Sequence, residues 1–320
     1  MVMAQSLFKA LMNKKPECRI DVLAPPWTFS LLERMPEVSS SIEMPLGHGK
    51  FGLIERIKLG KQLRTQHYDQ AILLPNSWKS ALIPFFARIP LRTGYIGECR
   101  WGLVNDSRRL DKQALPMTVQ RFVALAYPEQ PDSAPDITPP SFSIAPENIE
   151  IISNKFKLGP AEKILALCPG AEYGPAKRWP AKYYAEIAKK KHKKGWAIWL
   201  FGSEKDKPVT TEISRESGDI CKDFSGLTSL AEAVDLMSLV DTVITNDSGL
   251  MHVAAALNKK MVAIYGSSDP GFTPPLNDKA RIASLNLKCS PCFKRHCPLG
   301  HRNCLNHLYP EQILLEMNRL

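Results

Sequence analysis

In the second half of the chain, short apolar runs alternate with stretches of helical periodicity. Ile164-Leu165-Ala166-Leu167 is an apolar strand that stops at Pro169-Gly170. A helix over 183–194 follows, then a strand over 197–201 that ends at Gly202-Ser203. A helix over 208–217 leads to a short strand near Asp223-Phe224. After it come a helix over 230–240, a strand over 242–245, a helix over 250–257 and a strand over 261–265. Strands alternating with helices at this spacing predict βαβ units and a parallel sheet covered on both faces. Right-handed crossovers then bring every strand's C-terminal end to one edge.

The first half repeats the pattern less regularly. It predicts a helix over 6–12, a strand over 20–24, and a long basic amphipathic helix over 51–66. A strand over 70–74, a helix over 80–87 and a strand end at Arg92-Thr93-Gly94-Tyr95 follow. The stretch 128–146 is rich in proline and lacks periodicity, which marks a crossing between domains. The expected division is 1–150 and 151–320, two doubly wound domains with a cleft between their strand ends, where ligands of such folds bind. The last helix, over 310–320, is expected to pack across the domain junction. One element is out of order: the chain opens directly in a helix, whereas the first helix of a doubly wound domain normally follows its central strand. A sheet without that strand leaves backbone groups unpaired.

Composition narrows the class without choosing the partner. The chain has 320 residues, 44% hydrophobic and 23% charged, as in an ordinary soluble globular protein. No apolar run approaches a membrane-spanning length, and the first ten residues lack the order of a secretory signal, which points to the cytoplasm. Net charge is +10, which suits an anionic partner. The densest basic run, 189–194, closes a helix and reads as a solvated face, with no nucleic-acid module around it.

Four strand-end segments carry candidate chemistry. In Cys168-Pro169-Gly170-Ala171-Glu172-Tyr173-Gly174-Pro175-Ala176-Lys177, small residues let backbone N–H groups approach a phosphate and Lys177 supplies a cation for a diphosphate leaving group. The plain alternative is a surface loop. Asn246-Asp247-Ser248-Gly249-Leu250-Met251-His252 opens a helix that Asp247 or Ser248 is suited to cap; its free N–H groups also suit a phosphate or sugar hydroxyls. His252, one turn in, reads as a ligand contact or as a satisfied buried histidine. Asp206, after the strand end at Gly202-Ser203, is placed to hold a ribose or base. In the first half, Asn76, Ser77 and Lys79 form a polar cluster after a strand, with a turn as the simpler explanation.

These segments resemble the ADP-heptose:lipopolysaccharide heptosyltransferases of glycosyltransferase family nine. The resemblance rests on Met44-Pro45-Leu46-Gly47-His48-Gly49, Leu74-Pro75-Asn76-Ser77, Pro169-Gly170-Ala171-Glu172-Tyr173-Gly174-Pro175-Ala176-Lys177-Arg178-Trp179-Pro180, Thr245-Asn246-Asp247-Ser248-Gly249-Leu250-Met251-His252 and Phe272-Thr273-Pro274-Pro275-Leu276, in family order along nearly the whole chain. It implies a GT-B architecture of two Rossmann-like domains facing a cleft. It also implies an inverting, metal-independent transfer of heptose from ADP-L-glycero-D-manno-heptose to a Kdo-lipid A core that already bears one heptose. Carried over by position, Lys177 neutralises the diphosphate, while Asp247, Ser248, Gly249, His252 and, less directly, Asp206 line the donor site. Arg56, Lys58, Lys61 and Arg64 on the basic helix suit the anionic acceptor and the inner face of the cytoplasmic membrane. Other heptosyltransferase specificities, a two-domain sugar epimerase, and a homologue that binds core or nucleotide sugar without turnover remain the alternatives.

Two features stand outside that reading. Family members carry a strand and a Gly-Asp loop just before the stretch matching Met1 to Ser6, and that Asp is the family's general base. The chain as written is therefore expected to be unstable and close to inactive. Cys289, Cys292, Cys297 and Cys304 follow a C-x2-C-x4-C-x6-C spacing that suits a structural zinc, an iron–sulfur cluster, or no metal at all. Cys18, Cys99, Cys168 and Cys221 are scattered and read as incidental thiols.

The first of these features has a direct test. Heptose transfer is expected only from a chain extended upstream to the previous in-frame start. Equal turnover by both forms would place the base elsewhere.

Overall fold

The structure is a computed structural model that describes residues 1–47, 49–128, 133–161 and 163–320. His48, from the 44–49 segment, and residues 129–132 of the proline-rich stretch lie outside the described residues.

The chain divides into two compact units, 3–138 and 139–320. The boundary precedes the expected 150/151 division because a helix there belongs to the second unit. Pro146–Lys155 packs against Leu230–Ser238, and Lys155 pairs with Glu232.

In the first unit, α1 (Gln5–Lys14) leads to β1 (Asp21–Ala24), α2 (Phe29–Leu32) and β2 (Ser40–Glu43). Then come α3 (Leu53–Leu63), β3 (Gln70–Leu73), α4 (Leu82–Phe86), β4 (Leu91–Tyr95), β5 (Asp106–Arg108) and α5 (Thr118–Ala124). Helix α3 is shorter than the 51–66 expected. It starts after Gly52 in a left-handed conformation, and its end tightens into a 3-10 turn over Arg64–Gln66. Gly60 is required where α3 meets α4, since a Cβ there would sit 2.7 Å from Phe86 Cβ and 2.8 Å from the Ile83 carbonyl oxygen. The strands form a two-stranded sheet, β1-β2, and a three-stranded sheet, β3-β4-β5, parallel throughout. Among the described residues no strand precedes α1 and none joins β1 to β3. The Tyr68 hydroxyl, just ahead of β3, donates to Asp21 of β1 at 2.6 Å and links the two sheets.

The second unit begins with α6 (Pro146–Lys155) and continues β6 (Ile164–Cys168), α7 (Ala181–His192), β7 (Ala197–Leu200), α8 (Lys207–Ser217) and β8 (Cys221–Asp223). It then runs through α9 (Leu230–Ser238), β9 (Thr242–Asn246), α10 (Gly249–Ala256), β10 (Lys260–Ile264), β11 (Ala280–Ala283), α11 (Asn303–Asn306) and α12 (Pro310–Asn318). One six-stranded parallel sheet in the order β11-β10-β9-β6-β7-β8 carries this unit. That is the doubly wound order, with its reversal between β6 and β9, the point at which ligands of such folds bind. Strand β9 is buried along its whole length, as expected of a parallel strand covered on both faces. Leu165, Leu167, Tyr184, Ile187, Ile244 and Ile264 belong to its core. Helix α12, expected at the domain junction, packs on β10, β11 and α7 with Ile313 buried. Among the described residues no helix is long and apolar enough to cross a membrane.

Candidate functional site

The reversal point places two sequence-predicted segments side by side. The loop after β6 carries Lys177, and the residue after β9 is Asp247. The Lys177 ammonium donates to Asp247 Oδ2 at 2.5 Å. Asp247 is buried, and its backbone N–H donates to the Ile264 carbonyl at 3.1 Å, so the carboxylate is fixed to the sheet edge. Lys177 is mostly covered and lies over the Tyr173 ring at 5.1 Å from its centroid.

Asn246 holds this arrangement. Its Oδ1 accepts the Trp179 N–H at 3.2 Å and the Tyr184 hydroxyl at 3.0 Å, and its Nδ2 donates to the Pro169 carbonyl at 2.7 Å. Both ends of the 169–179 loop are thereby tied to the end of β9.

The start of α10 departs from expectation. Ser248 occupies the cap position in extended backbone, but no side chain caps the helix. The capping assigned to Asp247 or Ser248 is corrected, because the Asp247 carboxylate is engaged by Lys177. The first N–H groups of α10 therefore lack a side-chain acceptor, and a Cβ on Gly249 would meet nothing within 4 Å. A helix start of this kind attracts anions. His252 is half-buried, and burial lowers its pKa to about 4 although Asp247 pulls it up, so the imidazole is neutral at physiological pH.

Asp206 organises the neighbouring loop. Its Oδ2 accepts from the Ser203 N–H at 2.9 Å and the Ser203 hydroxyl at 2.7 Å, and Arg178 stands 3.8 Å from Oδ1. A Cβ on Gly170 would come within 2.6 Å of this carboxylate. The free carboxylate expected for a nucleoside is thus turned toward the protein.

Sequence reasoning missed several polar groups on the same edge. Arg178 Nε and the Ser225, Ser267 and Ser268 hydroxyls are buried without a hydrogen-bond partner. Ser225 follows β8, Ser267 and Ser268 follow β10, and Arg178 lies on the β6 loop. Unpaired buried polar groups at strand ends are what a polar ligand would complete. The signal was a hydroxyl residue shortly after each apolar strand, which also fits an ordinary turn.

The residues assigned to the acceptor are in the first unit and separate into two groups. Asn76, Ser77 and Lys79 follow β3, with Asn76 Oδ1 accepting from buried Arg100 at 3.4 Å. Lys58 and Lys61 are exposed on α3. Arg56 and Arg64 are corrected. Arg56 is buried and donates to the carbonyls of Phe51 at 2.7 Å and Lys79 at 3.1 Å, while Arg64 donates to the Phe86 carbonyl at 2.8 Å. Each bonds carbonyls at a helix boundary, which takes Arg56 off the surface and turns half-buried Arg64 partly inward.

The four clustered cysteines are free thiols lining a cavity of about 20 Å³ together with Ala176, Ser267 and His301. Among the described residues no three metal-ligating side chains stand at the spacing of a formed metal site. The backbone of the turn 299–302, Arg302 foremost, lies near the Cys297 thiol and lowers its pKa.

Two consequences can be measured. Lys177→Ala removes the cation at the reversal point, and transfer activity should fall by about 10²–10³-fold; steady-state rates check this, with thermal unfolding to exclude loss of fold. For His252, the unfolded chain takes up a proton between the ordinary value of 6.5 and about 4, while the folded chain does not. Its contribution to stability is complete above pH 6.5 and is lost as pH falls through that window. His252→Gln should flatten this part of a stability-versus-pH curve from urea unfolding, and an unchanged slope would assign the loss to another group.

Comparison with known proteins is consistent with these observations. The profile of glycosyltransferase family 9 (heptosyltransferase) matches residues 56–302. Lipopolysaccharide heptosyltransferase 2 of Escherichia coli K12 is 45% identical across the whole chain, which spans 94% of that protein. Lipooligosaccharide heptosyltransferase 2 of Haemophilus influenzae is 46% identical, again across the whole chain and 95% of its own length. The solved structure of E. coli ADP-heptose lps heptosyltransferase II superposes with a TM-score of 0.88 at 43% identity, covering all of this chain and 94% of that one. With relatives of this identity along its full length, the chain belongs to glycosyltransferase family 9, the heptosyltransferases.

Proposed function

We propose that the protein transfers L-glycero-D-manno-heptose from ADP-heptose to the first heptose of a Kdo-lipid A inner core. The observation that carries this reading is the Lys177–Asp247 pair at the β6/β9 reversal, beside the helix start of α10 that no side chain caps. Relatives named heptosyltransferase 2 at 45–46% identity support the donor and the acceptor class.

The reaction is a displacement at the anomeric carbon. The acceptor hydroxyl oxygen forms the new bond, its proton passes to a general base, and ADP leaves with the bonding pair from the opposite face. Lys177 and the α10 N–H groups take up the charge that develops on the leaving diphosphate. A fixed ammonium at this position supplies the role a divalent cation fills in other transferases, so transfer proceeds without added magnesium. The second unit thus holds the donor and the first the acceptor, through Asn76, Ser77 and Lys79. The exposed Lys58 and Lys61 face the anionic core and the surface of the cytoplasmic membrane that carries it.

The test is transfer to Kdo-lipid A bearing no, one or two heptoses, presented in anionic vesicles and read by mass spectrometry. Only the mono-heptosylated acceptor should gain a heptose, and Lys58→Glu/Lys61→Glu should weaken both vesicle retention and transfer. Extension of the acceptor without heptose would overturn the assigned specificity.

A further inference from the structure

We propose that Cys289, Cys292, Cys297 and Cys304 bind one zinc(II) ion in the cavity they share, and that this ion fixes the segment against which the Lys177 loop rests. The residues come from a stretch of irregular backbone between β11 and α11 yet converge on one cavity of about 20 Å³. That volume suits a single atom-sized occupant and is too small for a multi-iron cluster. Four thiolates are the donor set that zinc favours in structural sites.

The surroundings fit a charged sulfur centre. The turn 299–302 folds back onto Cys297, with the Gly300 N–H donating to the Cys297 carbonyl at 3.1 Å, so backbone amides lie near the thiol that would ligate the metal. The Ser267 hydroxyl lies in the wall of the cavity, fully buried and without a partner. His301 also lines the wall, but its Nδ1 accepts the Asn303 N–H at 3.0 Å, which leaves the thiols as the ligand set. Among the described residues no three of these ligands already form a metal site, so the thiols must close up to bind. Zinc entry draws them inward as their protons leave to solvent, so binding strengthens with pH.

The segment is coupled to the donor loop through its backbone. The Arg295 carbonyl accepts the Ala176 N–H at 3.1 Å, and the Phe293 carbonyl accepts the Tyr173 hydroxyl at 2.7 Å. Gly174 passes so close that a Cβ would lie 2.6 Å from the Arg295 carbonyl oxygen, and Ala176 itself borders the cavity. A metal that orders 289–304 therefore orders the residues on either side of Gly174 and, one residue on, Lys177.

The experiment uses the full chain purified under reducing conditions, dialysed with zinc and analysed for metal. About one zinc per chain is expected, released by a thiol-modifying mercurial and lost in Cys292→Ser/Cys297→Ser but kept in Cys18→Ser. Cobalt(II) in the unmutated protein should give the intense visible bands and thiolate charge transfer of a tetrahedral sulfur site, a readout independent of variant folding. Zinc removal should speed hydrogen exchange at the Ala176 N–H by at least about tenfold. Less than about a fifth of an equivalent of zinc in the reduced protein, an iron–sulfur spectrum, or zinc kept by the double variant would overturn the site. Unchanged exchange at Ala176 would overturn its role in holding the loop.

Discussion

The side chain of Asn246 holds three separate pieces of the second unit at the end of its central strand. One oxygen serves the Trp179 N–H and the Tyr184 hydroxyl, and the amide nitrogen serves the Pro169 carbonyl. All of these groups are buried, so each would be costly to leave unpaired. The loop after β6 consequently returns to β9, and Lys177 reaches the carboxylate of the next residue, Asp247. Removing these bonds would leave the loop's small residues free to move and the lysine without a fixed position.

Around that anchor the strand ends divide the work. β6 and β9 supply the ammonium and its carboxylate, α10 supplies backbone N–H groups, and β8 and β10 end in buried hydroxyls without partners. Asp206 and Gly170 shape the wall between them: the glycine is there because the carboxylate occupies the space a Cβ would need. Such an edge gathers fixed dipoles with the Lys177 ammonium and the Arg178 guanidinium, the electrostatic features that the proposed departure of a nucleoside diphosphate calls for.

The first unit follows a different economy of charge. Buried Arg56 on α3 and half-buried Arg64 in the turn after it bond main-chain carbonyls near the ends of α3 and α4, which leaves Lys58 and Lys61 as the exposed cations of the four basic residues singled out there. A guanidinium has five donors in a planar fork and can bond several carbonyls at once, whereas a lysine remains in solvent more readily. Arg100 does the same behind the β3 loop, bonding the Pro75 carbonyl at 2.8 Å, the Asn76 side chain and the Tyr95 carbonyl.

By itself the sequence determined the alternation of strands and helices in the second unit, because buried parallel strands such as β9 read as short apolar runs between small-residue turns. It also singled out the Lys177 loop and the Asp247–His252 segment, which stand in motifs of fixed order and which the structure brings together at the reversal point. It left β2, β5 and β11 unread: they are short and carry charge or serine, so no clear period marks them. Only the tertiary structure decided which polar residues face inward. Arg56 and Lys58 look alike in sequence, yet burial against carbonyls separates them. Asp206 and Asp247 look alike too, but one carboxylate closes its own turn and the other meets a lysine 70 residues away. The convergence of four cysteines on one cavity belongs to the same class, because the path of an irregular segment is set by what it packs against, and local spacing does not encode that.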